Sequence, residues 1–319
     1  MDNVCHTLVG AALAEAGLKQ RTALGTATLM IAANLPDIDV IAVPLGHSLG
    51  FRRGITHGAP ALVLLPVLLA FSMWAWHRWR GRRSAPPDAM WLLVLSAIGV
   101  TTHPFLDWLN TYGMRWLMPL DPRWWYADTL FIVDPWIWLA LGAGVWWSRR
   151  LRDRGAPAST GPARWSLGLV AAYIAAMGFL ATSSRAHARD ALASRGIDAD
   201  TVVVEPVPVN PVKRRVIHHW NGAYHLSTYD VMRRTLSEPW FSIQLNAEHP
   251  AAVRARETSQ GREYHSWTRL PYYLIEEAGD TTWVTIADAR YTLDGKSSWA
   301  IMRIPVPKAS AVTASFAKD

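Results

Sequence analysis

Apolar residues are bunched along this chain. Four stretches, at about 59–76, 89–109, 131–147 and 164–182, approach the roughly 20 mainly apolar residues that a helix needs to cross a bilayer. Two shorter helical patterns precede them, at about 6–18 and 22–35; their length predicts tilted, partly embedded or bundle-packed helices. The first carries His6 and Glu15 and lacks a basic leader and a small-residue cleavage site, so it reads as part of the fold and not as a signal peptide. Past residue 196 the pattern changes. Short β-type runs at 201–204, 216–217, 283–286 and 299–304 alternate with turn residues. The Pro-rich stretch from Glu205 to Pro211 reads as an extended linker or edge strand. The predicted fold class is a polytopic all-α membrane bundle, with about four long spans plus two short N-terminal helices, over residues 1–185. A small β-rich extramembrane domain follows at 196–319.

Composition sharpens this division. The chain has 319 residues, 50% hydrophobic and 18% charged, and its mean hydropathy of +0.06 averages two unlike halves. Of the 18 Trp, 13 fall in the first 185 residues, many near predicted span ends, as interfacial aromatic belts do. The low charge excludes intrinsic disorder, and the single Cys excludes an intramolecular disulfide or a cysteine-based zinc cluster.

A net charge of +7 suits either a nucleic-acid binder or a membrane protein with basic cytoplasmic loops. The positions of the cations decide. Lys19, Arg21, Arg78, Arg80, Arg82, Arg83, Arg149, Arg150, Arg152, Arg154 and Arg164 lie in three connections that share one side of the membrane. The other side holds Arg52, Arg53, Arg115, Arg123 and Arg185 before the tail. Eleven against five places the first group in the cytoplasm. The basic charge then marks topology, and no nucleic-acid partner is expected. The chain start, the 37–57 and 107–134 loops and the tail fall on the far side, which in a bacterium is the periplasm or cell exterior.

Ionisable residues in a membrane segment need a pairing or functional reason. His103 and Asp107, four residues apart, share one helix face and can bind one ion, or else pair to stitch two helices. Pro104 between them predicts a kink or a restarted helix. His6, Asp37, Asp39, His57, Asp128 and Asp134 all fall at the same membrane face, although the topology came from cation counts alone. A His/Asp set without thiols suits Zn²⁺, Mn²⁺ or Fe²⁺, and several carboxylates permit a two-metal site. Such a site fits phosphoester hydrolysis. Arg53 can offer a fork to a phosphate, or with Arg52 anchor lipid headgroups. The rival reading is a non-enzymatic module using the same residues for ion or proton transport. A transporter should carry ionisable groups near midplane, whereas these lie at span ends.

Taken in order, His6-Thr, Pro-Asp37-Ile-Asp39, Arg53-Gly-Ile-Thr-His57, His103-Pro-Phe-Leu-Asp107-Trp-Leu-Asn-Thr-Tyr-Gly113 and Asp128 through Asp134-Pro resemble the YdjM-like family. These are LexA-regulated inner-membrane proteins grouped as metal-dependent hydrolases, and the resemblance covers about residues 1–185. It implies a multi-pass protein of the bacterial inner membrane. More distantly, the order His, Asp, His, His-x-x-x-Asp is similar to the N-terminal ligands of zinc-dependent phospholipase C and related single-strand nucleases. That similarity implies His6, Asp37 or Asp39, His57, His103 and a bridging Asp107 as ligands. No His occurs between His103 and His187, so the full three-zinc pattern of those enzymes is absent.

The assigned metal set is His6, Asp37, His57, His103, Asp107 and Asp134, holding one or two ions, with Asp39 and Arg53 as catalytic residues. The expected activity is hydrolysis of a phosphoester, membrane phospholipid included, at the outer face. Of the remaining candidates, His47 lies in the outer loop, His77 reads as an interface residue, and His218, His219 and His225 as strand or surface histidines. Cys5 reads as a packed apolar residue. Asn110 and Tyr112 are candidates for substrate binding, or for capping and packing.

Overall fold

The computed structural model describes residues 1–45, 52–80, 86–157, 159–296 and 299–308; His47, Arg82 and Arg83 lie outside them. The chain falls into two compact units. One is Met1–Ser184 together with Glu205–Arg214, the other Arg185–Val204 together with Arg215–Asp319.

The first unit is helical. α1 (Asn3–Glu15) starts where the Asp2 carboxylate accepts hydrogen bonds from the amides of Val4 and Cys5, meeting two of the donors a helix start leaves open. α2 (Gly25–Ala32) lies against α1 so closely that a Cβ on Gly10 would come within 2.7 Å of the Leu29 carbonyl oxygen. A 3-10-type segment follows at Leu35–Leu45. α3 (Ala59–Trp79) and α4 (Ala89–Trp108) are long and apolar, and α4 packs on both α2 and α3. A Cβ on Gly99 of α4 would stand 2.4 Å from the Ala32 Cβ of α2. These two glycines are what let helix backbones approach. α4 runs as one helix through Pro104 and does not restart there. The proline stands one turn from the helix end, so it removes a single hydrogen bond where the ladder is about to stop.

α5 (Pro135–Asp153) and α6 (Gly161–Ser194) complete the bundle. One core joins Cys5 and Val9 of α1, Leu106 of α4, Ile137 and Leu141 of α5 and Met177 of α6; a second joins Ala32, Leu69, Leu92 and Val100. Cys5 is wholly buried there as a small apolar residue.

Among the described residues, three helices are long and apolar enough to cross a membrane: α3, α4 and α6. The expected count of four is corrected at α5. Its start is set by the Asp134 cap, and its last turns carry Arg149, Arg150, Arg152 and Asp153. About 13 apolar residues remain, ~20 Å of helix against the ~30 Å of a hydrocarbon core.

The second unit holds most of the strand residues. β1 (Thr201–Val207), β2 (Asn210–Trp220), β3 (Ala223–Asp230) and β4 (Thr235–Leu236) lie in that order, with β5 (Phe241–Gln244) also paired antiparallel to β3. β6 (Pro271–Ala278), β7 (Thr281–Asp288) and β8 (Ile301–Pro307) form an antiparallel sheet in sequence order. Two short helices that the sequence pattern did not predict, α7 (Pro250–Glu257) and α8 (Ser259–Trp267), begin at side-chain caps from His249 and Thr258. The Pro-rich stretch from Glu205 to Pro211 supplies the end of the edge strand β1, the Pro208–Val209 turn and the start of β2, and Val209 takes a left-handed backbone there, φ 63°. It belongs to the first unit, where Arg214 is buried and donates to the carbonyls of Asp128, Thr129 and Met177.

Candidate metal centre

α4 supplies the foundation. Its i,i+4 spacing puts His103 and Asp107 on one buried face. The Leu35–Leu45 segment brings Asp37, and the turn ahead of α3 brings His57. That turn closes with the His57 amide donating to the Gly54 carbonyl. It also needs Gly58, where a Cβ would come within 2.5 Å of the Met118 carbonyl oxygen.

Asp37, His57, His103 and Asp107 each offer one ligand atom within 4.8 Å of the others. His57 Nε2 lies 3.7 Å from Asp37 Oδ1 and 3.6 Å from Asp107 Oδ2, and His103 Nε2 lies 3.6 Å from each of the same two oxygens. A tetrahedral ion with bonds of about 2.0–2.2 Å needs ligand-to-ligand edges of about 3.3–3.6 Å. Four of the six edges, at 3.6–3.7 Å, lie at or just beyond that range, and the other two are within 4.8 Å. His57 Nε2 and His103 Nε2 are also buried without a hydrogen-bond partner, and Asp107 Oδ2 between them has the Arg53 guanidinium at 3.0 Å; ring nitrogens left facing carboxylates in this way cost free energy unless a proton or a cation sits among them.

The ring orientations follow from the outer contacts. His103 Nδ1 lies 2.7 Å from the Ala33 carbonyl. A carbonyl can only accept, so Nδ1 carries a proton and Nε2 is the nitrogen turned toward the cluster. His57 Nδ1 faces the Thr56 hydroxyl at 3.0 Å and Asp39 Oδ2 at 3.6 Å, which again turns Nε2 inward. Burial favours the neutral form of the Asp37 carboxyl, but the His103 and His57 rings outweigh it and hold the group well below its ordinary range.

Between Asp37 and Asp39, which the sequence pattern leaves open as ligands, the geometry separates the roles. Asp37 faces the cluster. Asp39 stands behind His57, accepts from the Arg53 amide at 2.8 Å and contacts Arg52 Nη1 at 3.1 Å. Arg53, expected to reach for a phosphate, is 4% exposed. Its Nε is 3.0 Å from Asp107 Oδ2, and its Nη1 donates to Asn110 Oδ1 and the Gly113 carbonyl. The Tyr112 ring covers the guanidinium at 4.5 Å. Arg53 takes a left-handed backbone, φ 50°, which costs a non-glycine residue about 1–2 kcal/mol. That turn aims its amide at Asp39 and its side chain at Asp107.

His6 is adjacent to the four-residue group without joining it. Its ring stacks on His103 at 3.8 Å, and Nε2 lies 3.4 Å from Asp107 Oδ1, the oxygen turned away from the cluster, which the Met1 amino group also contacts. Asp134 is engaged elsewhere. One oxygen caps α5 through the amides of Trp136 and Ile137, and the other accepts from the Tyr173 hydroxyl at 3.0 Å. Asp128 is buried outside the group, and His77 is buried on α3. Asn110 and Tyr112 support Arg53. His218 is buried in the second unit, while His219 pairs with Asp200 and His225 with Ser242. The contributions of Ala33, Thr56 and Gly113 had no signal in the sequence, because two are carbonyls and the third a lone hydroxyl.

A His/Asp group on the buried end of a membrane helix, inside a helical unit of this size, defines a membrane protein with a candidate metal centre. The chain belongs to the YdjM inner membrane protein family, whose model matches residues 1–184. With three apolar helices, it is accordingly a protein of the bacterial inner membrane. It is also similar to the uncharacterized protein YfhP of Bacillus subtilis (strain 168), 24% identical over 112 residues. That match covers 34% of this chain and 32% of the relative, so the chain spans about a third of the length of the relative it matches. No solved structure matches the chain.

Proposed function

We propose that this chain is a membrane-bound, metal-dependent hydrolase acting on a phosphoester at the outer, periplasmic face of the inner membrane, with zinc as its metal. The observation that carries the reading is the convergence of two buried, unpartnered ring nitrogens, of His57 and His103, on carboxylate oxygens of Asp37 and Asp107 at 3.6–3.7 Å. The donors are nitrogen and oxygen without thiolate, a set that suits zinc and also accepts manganese or iron. When bound, such an ion acidifies water and polarises an ester oxygen.

The chain's own residues do the rest. Ala33 and Asp39 fix the two rings from behind. Arg53 sets the carboxylate plane of Asp107 and offsets its charge. Asp37, whose side chain is 16% exposed while those of the other three are at most 1%, marks the side from which substrate arrives. The order of ligands along the chain, similar to that of zinc-dependent phospholipase C, supports phosphoester chemistry. The cation distribution supports the outward orientation. His103 and Asp107 fall about 21 and 27 Å along an α4 of ~30 Å, near one membrane face, which favours an enzyme over a midplane transport site.

Metal analysis of the purified full chain, paired with a phosphodiesterase assay, tests the reading. Near-stoichiometric zinc is expected, lost together with activity in His57→Ala and Asp107→Ala. If both variants keep their metal and their activity, the reading is wrong.

A further inference from the structure

Three of the four candidate ligands are closed off from the surroundings, so whatever reaches the cluster must pass Asp37. Asp37 lines an open groove of about 600 Å³ formed by α1, α2 and the Leu35–Leu45 segment. The groove has two unlike edges. On one, Asn34 donates to the Thr7 hydroxyl at 3.0 Å and Asn3 donates to Asp37 Oδ2 at 3.1 Å, a polar ladder that ends at the cluster. On the other, Ile31, Ile38, Val40 and Ile41 are 44–64% exposed. Among the described residues lining it, Asp37 is the only charged one.

Neither bulk solvent nor bulk acyl chain suits both edges. Water would leave four large aliphatic side chains bare, and hydrocarbon would bury a strip of amides and a carboxylate. An amphiphile lying along the groove satisfies both. The position along the helix agrees: the cluster sits near the end of α4, which in a membrane-spanning helix is the level where headgroups meet acyl chains.

We infer that the groove is the binding site of a lipid phosphoester, with its phosphate head at Asp37 and the metal cluster and its alkyl chain along Ile31, Ile38 and Ile41. This rests on the metal-site reading above and narrows its substrate from phosphoesters in general to membrane lipids. It makes the Leu35–Leu45 segment a specificity element that selects for a chain as well as a head.

The test is photocrosslinking of the full-length, metal-loaded protein with a dodecyl phosphate carrying a diazirine on its chain. Crosslinks are mapped by mass spectrometry, with α3 as the internal reference for ordinary lipid contact. Crosslinks should concentrate in residues 30–41. Excess unlabelled dodecyl phosphate should lower their yield relative to α3 at least about fivefold, whereas dodecanol or inorganic phosphate alone should leave it unchanged. Chelation of the metal should weaken the protection by dodecyl phosphate.

Competition by dodecanol as strong as by dodecyl phosphate would reduce the groove to plain lipid contact. Competition by inorganic phosphate alone would mean a soluble substrate, and crosslinks spread evenly over the helices would mean no site. Protection that chelation leaves undiminished would remove the head from the cluster. Each of these overturns the inference. The metal content of the same sample keeps the two readings apart: a metal-free native protein defeats the metal-site reading, and a metal-loaded one without selective crosslinking defeats only the groove.

Discussion

At the residue scale, His57 and His103 face the cluster with the same ring nitrogen because each is held from behind, one by Thr56 and Asp39, the other by the Ala33 carbonyl. Outer contacts of this kind fix tautomer and angle, and losing one typically costs 10–100-fold in metal affinity. Asp39→Asn should therefore still bind zinc, but about tenfold or more weakly in competition with a chromophoric chelator, whereas Asp107→Ala should not bind it at all. Asp134→Ala separates the α5 cap from the metal site. It should lower stability by about 1 kcal/mol in thermal unfolding and leave the metal content unchanged. Had Asp134 been a ligand, the second measurement would move.

At the scale of elements, the site depends on how closely α2 approaches α4. Gly99 faces Ala32, and the next residue, Ala33, holds the His103 ring. A methyl group at Gly99 would stand within 2.4 Å of the Ala32 Cβ, so one helix must shift. Overpacking of this kind costs about 1–3 kcal/mol. Gly99→Ala should lower the unfolding temperature and also weaken zinc binding, although the substituted residue touches no ligand. A fall in stability with unchanged affinity would show that α2 gives way without moving Ala33. The i,i+4 pair of His103 and Asp107 was legible in the sequence because helix periodicity is local. The fourth span was misread because a count of apolar residues does not show where the Asp134 cap starts the helix or that its last turns are charged.

At the scale of the whole molecule, the second unit has its own buried ionic anchor. Asp288 accepts from the Arg290 amide and guanidinium, the Thr268 hydroxyl and the Arg269 amide. Burial pushes its carboxyl up, but the Arg290 charge and these hydrogen bonds more than reverse that and bring it down to about 2. A carboxyl whose folded value is depressed stabilises the fold above its unfolded value of roughly 3.9. That contribution, on the order of 2 kcal/mol, is lost as pH falls through about 4 towards 2. Hydrogen exchange corrected for its intrinsic pH dependence should show the Arg269 and Arg290 amides losing protection over that window. Asp288→Asn should abolish the pH dependence and destabilise this unit even at neutral pH, since it removes the carboxylate that offsets the buried Arg290 charge.

The sequence by itself determined that the chain is a helical membrane protein with a β-rich tail, and that His103 and Asp107 share one helix face. Apolar run length and i,i+4 spacing are properties of short stretches, and they act through solvation and local geometry. Only the tertiary structure decided which of the candidates meet. Asp37 and Asp39 are two residues apart and chemically identical, yet one faces the cluster and the other backs His57. Arg53 reads as a phosphate ligand until its guanidinium is seen on Asp107 and Asn110. Asp134, grouped with the candidate ligands in the sequence, caps a helix. Those distinctions come from side-chain direction and from carbonyl groups at distant positions, and neither is written in the identity of the residue itself.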